Sequence, residues 1–261
     1  MSERAVLYEA VDRIGMVTLN RPEQRNAMTP ELLDAFSEAI DEARADSGIR
    51  CLVITGEGRC FSAGADLRSS LQRTDLGKPS REASFAMYEP FLKVLEVEVP
   101  VIAAMNGHTV GGGFGLALLA DIRVANVDAK YGGNFARVGI HSGLGISYVL
   151  PRLVGLANAS ELLFTGRLVR GDEALRMGLV THAEESSEVL PRAMELARGI
   201  AGSAPTAVQQ MKASIRRNLG WDIRAAAEEE AGLQAASLAT EDAKEGVAAI
   251  LEKSEPEFTG R

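Results

Sequence analysis

Two apolar runs of strand length, residues 51–55 and 99–105, each give way to a turn built from small residues, and this arrangement limits what the 261-residue chain can become. The first turn carries Ser62-Ala-Gly-Ala-Asp66; the second carries Gly111-Gly-Gly113 directly ahead of an apolar stretch, 114–120. A short buried apolar run ended by glycine reads as a strand inside a core. Glycines ahead of a helix leave its first N–H groups without partners at the positive end of the macrodipole, a place that suits an oxygen gaining negative charge. Gly64 does the same for the first turn, because it lets the backbone bend so that the Ala65 N–H faces inward.

The flanking segments fit the same plan. Residues 5–20 alternate bulky and polar positions (Val6, Tyr8, Ile14, Met16, Thr18) around Asp12-Arg13, which predicts a hairpin. Thr29 and Pro30 predict an N-cap and first helical position, with Leu32, Leu33, Phe36, Ala39, Ile40 and Ala43 on one core face. A polar stretch with Gly77 and Pro79 reads as a lid, ahead of an amphipathic run through Phe85, Tyr88, Phe91, Leu92 and Leu95. Strand, glycine turn and helix then recur, with a strand over 121–126, which predicts an α/β spiral over residues 1–200. From about residue 160 the pattern is mainly helical: a short helix at 171–178, a longer one opened by Pro205, and an alanine-rich stretch at 225–239. Leu233 and Leu238 in that stretch predict packing against the core or another subunit, so residues 201–261 are expected to form a helical oligomerisation region.

A net charge of −8 disfavours general affinity for nucleic acid or anionic membrane. No apolar run approaches the roughly 20 residues of a membrane span. The N-terminus enters an alternating strand pattern without a signal-like region, so a cytoplasmic location is expected. Cys51 and Cys60 lack metal or redox spacing, and His108, His141 and His182 are dispersed. No metal site and no cofactor are expected.

The pairing of Phe61-Ser-Ala-Gly-Ala-Asp-Leu67 with Pro100-Val-Ile-Ala-Ala-Met-Asn-Gly-His-Thr-Val-Gly-Gly-Gly113 resembles the enoyl-CoA hydratase/isomerase (crotonase) superfamily. Asn20-Arg-Pro-Glu-Gln-Arg-Asn-Ala-Met28, Leu163-Phe-Thr-Gly166 with residues 174–180, and Glu245-Gly-Val-Ala-Ala-Ile-Leu-Glu-Lys253 extend the resemblance in order along the chain. It implies a crotonase-type spiral of strand-strand-helix repeats with a C-terminal helical region. It also implies a coenzyme A thioester as substrate, held by N–H donors of Ala65 and Gly112 acting as an oxyanion hole. Ala63 and Leu67 would line the adenine end of CoA, Arg25 would lie near its phosphates, and Lys253 would approach from a neighbouring subunit. Homotrimers or homohexamers are the assembly the resemblance implies.

The chain departs from that pattern where proton transfer is concerned. The two glutamates that hydratases of the superfamily share fall on Gly115 and Phe135, and an acid that some isomerases carry falls on Gly143. Losing a positioned acid or base costs on the order of 10²- to 10⁴-fold in rate, so losing both removes the usual hydratase route. Ser142 and His141 remain as polar groups in the loop that faces the reacting carbons in the superfamily, and Ser142 is the residue expected to position water or a carboxylate. Tyr131 and Asn134 are donors nearby; His108, Asp121 and Asp128 read as packing, cap or turn residues.

Three functions fit this pattern. One is a hydratase/isomerase-like enzyme using Ser142, His141 or bound water; the second is a decarboxylase, which needs the oxyanion hole and no strong base; the third is an acyl-CoA-binding protein without turnover. Rival folds lack their marks: there is no dinucleotide fingerprint and no Gly-x-x-x-x-Gly-Lys-Ser/Thr, and residues 139–143 place histidine where a nucleophile elbow needs serine.

Overall fold

The chain is described by a computed structural model covering residues 4–66, 80–220 and 222–261. The expected lid falls largely on residues 67–79, and Leu67 with it; these lie outside the described residues.

The hairpin forms as predicted, with β1 (Val6–Val11) antiparallel to β2 (Ile14–Leu19). Asp12 and Arg13 both take positive φ, 52° and 67°, the two-residue turn whose twist matches that of the paired strands. Beside β2 run β3 (Cys51–Gly56), β5 (Val101–Met105), β7 (Ile122–Asn126) and β10 (His182–Glu184), all parallel, giving a six-stranded sheet in the order β1-β2-β3-β5-β7-β10. A second sheet, β4-β6-β8-β9, is built from β4 (Cys60–Ser62), β6 (His108–Val110), β8 (Lys130–Gly132) and β9 (Val169–Arg170). Each of β3, β5 and β7 is therefore followed by a short strand of the second sheet, the strand-strand-helix spiral that the family resemblance implied. The stretches at 59–67 and 107–113, expected to be simple loops, each contain one of these short strands. Three residues are too few for a period of two to show in sequence.

Core strands of the first sheet are buried on both faces. Leu52 and Ile54 of β3 face the cluster containing α1 (Pro30–Ala45), whereas Cys51 and Val53 face α6 (Val189–Ala201) through Val189, Ala193, Ala197 and Ala201. The fourfold spacing of valine and alanine lets that helix lie close against the sheet. Thr29 caps α1 by accepting the Leu32 N–H at 3.2 Å, and all six predicted face residues are buried. Phe36 meets Phe91 of α2 (Arg81–Leu92) edge to face, with ring centroids 4.8 Å apart.

The remaining helices are α3 (Gly112–Leu119), α4 (Ile146–Thr165), α5 (Gly171–Arg176), α7 (Pro205–Asn218), α8 (Ile223–Leu238) and α9 (Glu241–Glu252). Helix α4 begins well before residue 160, where helical character was expected to start. Pro151 and the non-helical Gly155 (φ 79°, ψ 158°) interrupt its pattern and hide its first half from a periodicity reading. Helix α8 packs on α2 and α4, and α9 packs on the 3-10 turn at Phe135–Val138. No described helix is long and apolar enough to cross a membrane.

Asp121, expected to be a cap or turn residue, joins the sheet to α7. Its carboxylate accepts the Val101 N–H at 2.8 Å and pairs with Lys212 at 2.8 Å and Arg216 at 3.3 Å, while Lys212 also donates to the Val99 carbonyl. Burial pushes the Lys212 amine down to about 8, against the pull of Asp121. The unfolded chain thus holds a proton that the folded chain releases between about pH 8 and 10.5, so this group's contribution to stability rises with pH across that window. Asp121→Asn strands two cations and is expected to destabilise the fold by about 2–4 kcal/mol in urea denaturation at pH 7. The deficit is expected to narrow as pH is raised towards 10, because a neutral Lys212 needs no counter-charge.

Candidate active site

Residues 25–28 are stitched along residues 62–65, and this brings the two glycine turns together. The side chain of Asn26, fully buried, donates to the carbonyls of Glu57 at 3.1 Å and Cys60 at 2.9 Å and accepts the Arg21 N–H at 2.8 Å. Ser62 Oγ donates to the Asn26 carbonyl, Ala63 N–H to the Arg25 carbonyl at 3.0 Å, and Met28 N–H to the Gly64 carbonyl at 2.8 Å. Met28 and Ala65 form a parallel bridge.

Gly64, at φ 78°, then meets the start of α3. A Cβ there would lie 2.7 Å from the Val110 carbonyl oxygen and 3.0 Å from the Gly112 nitrogen, so only glycine permits both the bend and the approach. A Cβ on Gly113 would lie 2.5 Å from the Ser62 Cβ, and one on Gly112 would fall on the Met28 sulfur. The first bond of α3 runs from Gly115 N–H to the Gly111 carbonyl at 3.1 Å. Among the described residues, the N–H groups of Ala65 and Gly112 have no acceptor. Two unbonded amides, one from each turn, therefore stand on adjoining backbone.

Each of the three positions without a carboxylate has its space taken. A Cβ on Gly115 would lie 2.6 Å from Leu144 Cδ2; Leu144 is itself buried and held at φ 65°, a conformation costly for a branched side chain. Phe135 is 8% exposed and packs in the main core. Against Gly143 lies the Tyr88 ring, with Cζ 2.7 Å and Oη 2.8 Å from where a Cβ would be.

Polar groups from α8 hold this wall. Glu230 accepts the N–H groups of Gly145 and Ser147, both at 2.7 Å, and the Ser147 hydroxyl, which satisfies the first turn of α4. Gln234 accepts the Tyr88 hydroxyl at 2.9 Å and donates to the His141 carbonyl at 3.0 Å; Ser237 Oγ accepts the His141 N–H at 2.8 Å. Burial, with the charge of Glu230 behind it, raises the Tyr88 phenol well above its ordinary range despite the Gln234 bond. None of Asn26, Glu230, Gln234 and Ser237 was predicted as a contributor, and Tyr88 was read only as a core position. The signal available was a polar residue recurring at i, i+4 and i+7 in the alanine-rich stretch.

Of the predicted site residues, Ala63, Ala65, Gly112 and the backbone of Arg25 come together. Ser142 is nearly buried in the loop above Tyr88, and its hydroxyl has no partner among the described residues. The His141 ring turns back to the Ser142 carbonyl at 2.7 Å. Lys253 is exposed at the end of α9, with φ 57° and no side-chain hydrogen bond or ion pair among the described residues. His108 accepts the Lys130 N–H at 3.0 Å, joining β6 to β8, and Tyr131 donates to the Asn126 carbonyl at 2.7 Å, so both are structural. Partial burial, then the charges of Lys130, Arg59 and Arg25, hold the His108 imidazole below its usual range.

The family model for enoyl-CoA hydratase/isomerase matches residues 9–261. A short-chain-enoyl-CoA hydratase of Clostridium acetobutylicum is 35% identical over 95% of both chains. A crotonyl-CoA hydratase of Syntrophomonas wolfei is 34% identical over the full length of both. The crystal structure of an enoyl-CoA hydratase/isomerase from Pseudoalteromonas atlantica superposes with a TM-score of 0.86 at 31% identity, covering 98% of this chain and 100% of that one.

The filled space at position 115 has a direct consequence. Gly115→Glu is expected to destabilise the chain by roughly 1–3 kcal/mol through overpacking against Leu144. Leu144→Gly loses core packing of its own but relieves the positive φ and opens space, so the loss in the double variant is expected to fall short of the sum of the two single losses by at least about 1 kcal/mol. Urea denaturation of the two single variants and the double variant measures the coupling, and strict additivity would contradict it.

Proposed function

Because the chain belongs to the enoyl-CoA hydratase/isomerase family, we propose that it is an acyl-CoA enzyme whose Ala65 and Gly112 N–H groups hold the thioester oxygen while charge develops on it. The observation that supports this most is the approach of Gly64 to Gly112, which sets the unbonded Gly112 amide, at a helix N-terminus, on backbone adjoining the unbonded amide of Ala65. An enolate of a thioester carries its charge on that oxygen, and a fixed donor aimed at it contributes about 3 kcal/mol to lowering the barrier. On this reading Ala63, Leu67 and Arg25 take the nucleotide end of coenzyme A, and Lys253 reaches it from a neighbouring subunit of a homotrimer or homohexamer. The helices of residues 201–261 supply part of that assembly, and the cytoplasm is its setting. The thioester is the substrate, and no further cofactor is required.

Proton transfer distinguishes the reactions open to such a site. With Leu144, Phe135 and Tyr88 at the three carboxylate positions, hydration has only Ser142, His141 or bound water to rely on. That wall favours a second reading, decarboxylation of a malonyl-type thioester. The bond from the α-carbon to the carboxylate breaks, CO₂ leaves, and the electron pair passes to the thioester oxygen as an enolate, which later takes a proton from water at the α-carbon. This requires the two amides and no protein base.

Two assays separate the readings. Hydration of but-2-enoyl-CoA at the buffer background, with CO₂ released from a malonyl-type CoA ester, is the outcome expected of the decarboxylase; the reverse outcome assigns hydration. Ala65→Pro removes one donor and is expected to lower the rate of whichever reaction occurs by about 10²- to 10³-fold. An unchanged rate would remove Ala65 from the mechanism, and tight ester binding without turnover of any ester would assign a binding protein.

A further inference from the structure

Lys253 ends α9 in the left-handed conformation, φ 57° and ψ 34°, which glycine ordinarily supplies at that place. Its own N–H and that of Ser254 both donate to the Ala249 carbonyl, the latter at 3.0 Å, so the chain reverses on this one residue. A side chain crowds its own carbonyl in that conformation, and the surroundings must hold it there.

Residues 254–261 run back along α9 and are fastened near its start. The Asp242 carboxylate accepts the Thr259 N–H at 2.7 Å, the Gly260 N–H at 2.8 Å and the Thr259 hydroxyl at 3.2 Å. The Asp242 N–H, one of the donors that a helix start leaves without a partner, goes to the Arg261 carbonyl at 3.1 Å. One turn on, Glu245 accepts the Glu257 N–H at 3.1 Å. The Thr259 N–H holds the Asp242 carboxyl below its usual range, against the effect of burial, so the fastening is in place at neutral pH. This strap has little slack: α9 rises about 16 Å between Asp242 and Lys253, and the chain from Lys253 to Thr259 spans about 20 Å at full extension. Pro256 keeps Glu255 before it extended. The fastening therefore sets the direction in which the chain leaves α9, and a left-handed Lys253 is the turn that direction requires.

We propose that Asp242 is a positioning residue: by pinning the strap it holds Lys253 left-handed and so aims the exposed ammonium at coenzyme A across the subunit contact. This rests on the acyl-CoA reading above, in which Lys253 meets the ligand of a neighbouring subunit, and adds what fixes the lysine. With the strap unfastened, Lys253 relaxes to negative φ and its side chain leaves the direction of the ligand.

The test is calorimetric titration of the full chain with butanoyl-CoA, in the wild type, Asp242→Asn, Lys253→Ala and the double variant, with the melting temperature of each recorded. Asp242→Asn and Lys253→Ala are each expected to weaken binding about 3- to 10-fold, and the double variant to bind no more weakly than Lys253→Ala alone. Gly260→Pro unfastens the strap without touching α9, because proline has no N–H and cannot take the φ of 77° held there. It is expected to weaken binding as Asp242→Asn does, and likewise only when Lys253 is present. A structural role for the fastening lowers the melting temperature and weakens binding by the same factor with or without Lys253, a result that overturns the proposal. Unchanged binding in Asp242→Asn and Gly260→Pro, with Lys253→Ala binding less tightly, also overturns it and leaves the acyl-CoA reading standing. Unchanged binding in Lys253→Ala removes that lysine from the ligand and the proposal with it. A wild type that binds no ester overturns the acyl-CoA reading and this proposal together.

Discussion

The contact between Gly64 and the first residue of α3 is the constraint on which the rest of the site depends. Two backbones meet there at a distance that no side chain would survive, and the meeting requires both turns to be held from behind. Asn26 supplies the hold on one side: its buried amide ties together the carbonyls of Glu57 and Cys60, and its own carbonyl takes the Ser62 hydroxyl. The tight fit of Gly113 against Ser62 supplies it on the other. Leaving the buried Gly112 amide unbonded at such a contact costs folding free energy, because buried N–H groups are ordinarily paired, whereas Ala65 is exposed. The stitching of 25–28 along 62–65 offsets that cost with hydrogen bonds nearby.

Much of this was legible in the sequence because it is written locally. The hairpin turn, the Thr29-Pro30 start of α1 and the six residues of its core face follow from propensity and period, and the glycine turns mark themselves. The second sheet was not legible. Its strands of two or three residues carry no period, and their pairing is set by which strands of the first sheet precede them. The early part of α4 was hidden by Pro151 and by Gly155, whose non-helical backbone separates two helical segments of that span.

The site divides along the same line. Ala65 and Gly112 lie in motifs whose small residues announce close backbone approach. Tyr88, Gln234 and Glu230 are separated from those motifs by many residues and look like core, spacer and surface respectively. Their role depends on α8 packing across α2 and α4, which is tertiary information. Glu230 illustrates the limit: within an acidic, alanine-rich helix it reads as one solvated carboxylate among several, yet it is buried and satisfies the N-terminus of another helix. A polar stripe at i, i+4 and i+7 on an otherwise small-residue helix is the trace such an arrangement leaves.

The replacement of carboxylates is a property of the packing and not of three separate positions. Glycine at 115 is matched by Leu144 in a strained conformation, and glycine at 143 by a tyrosine from a distant helix whose hydroxyl is tethered by a third. Strain of the kind Leu144 carries persists only where its surroundings over-determine it, here the core around Phe114, Phe135 and Ile146. The resulting wall sets Leu144, Phe135 and the Tyr88 ring where carboxylates would stand, and Coulomb interactions strengthen as the local dielectric falls. In the proposed mechanism the same wall that removes the proton carriers therefore increases the hold of the two amides on a charged oxygen. A site built this way suits chemistry in which bond cleavage within the substrate creates the charge, and the protein's part is to hold it.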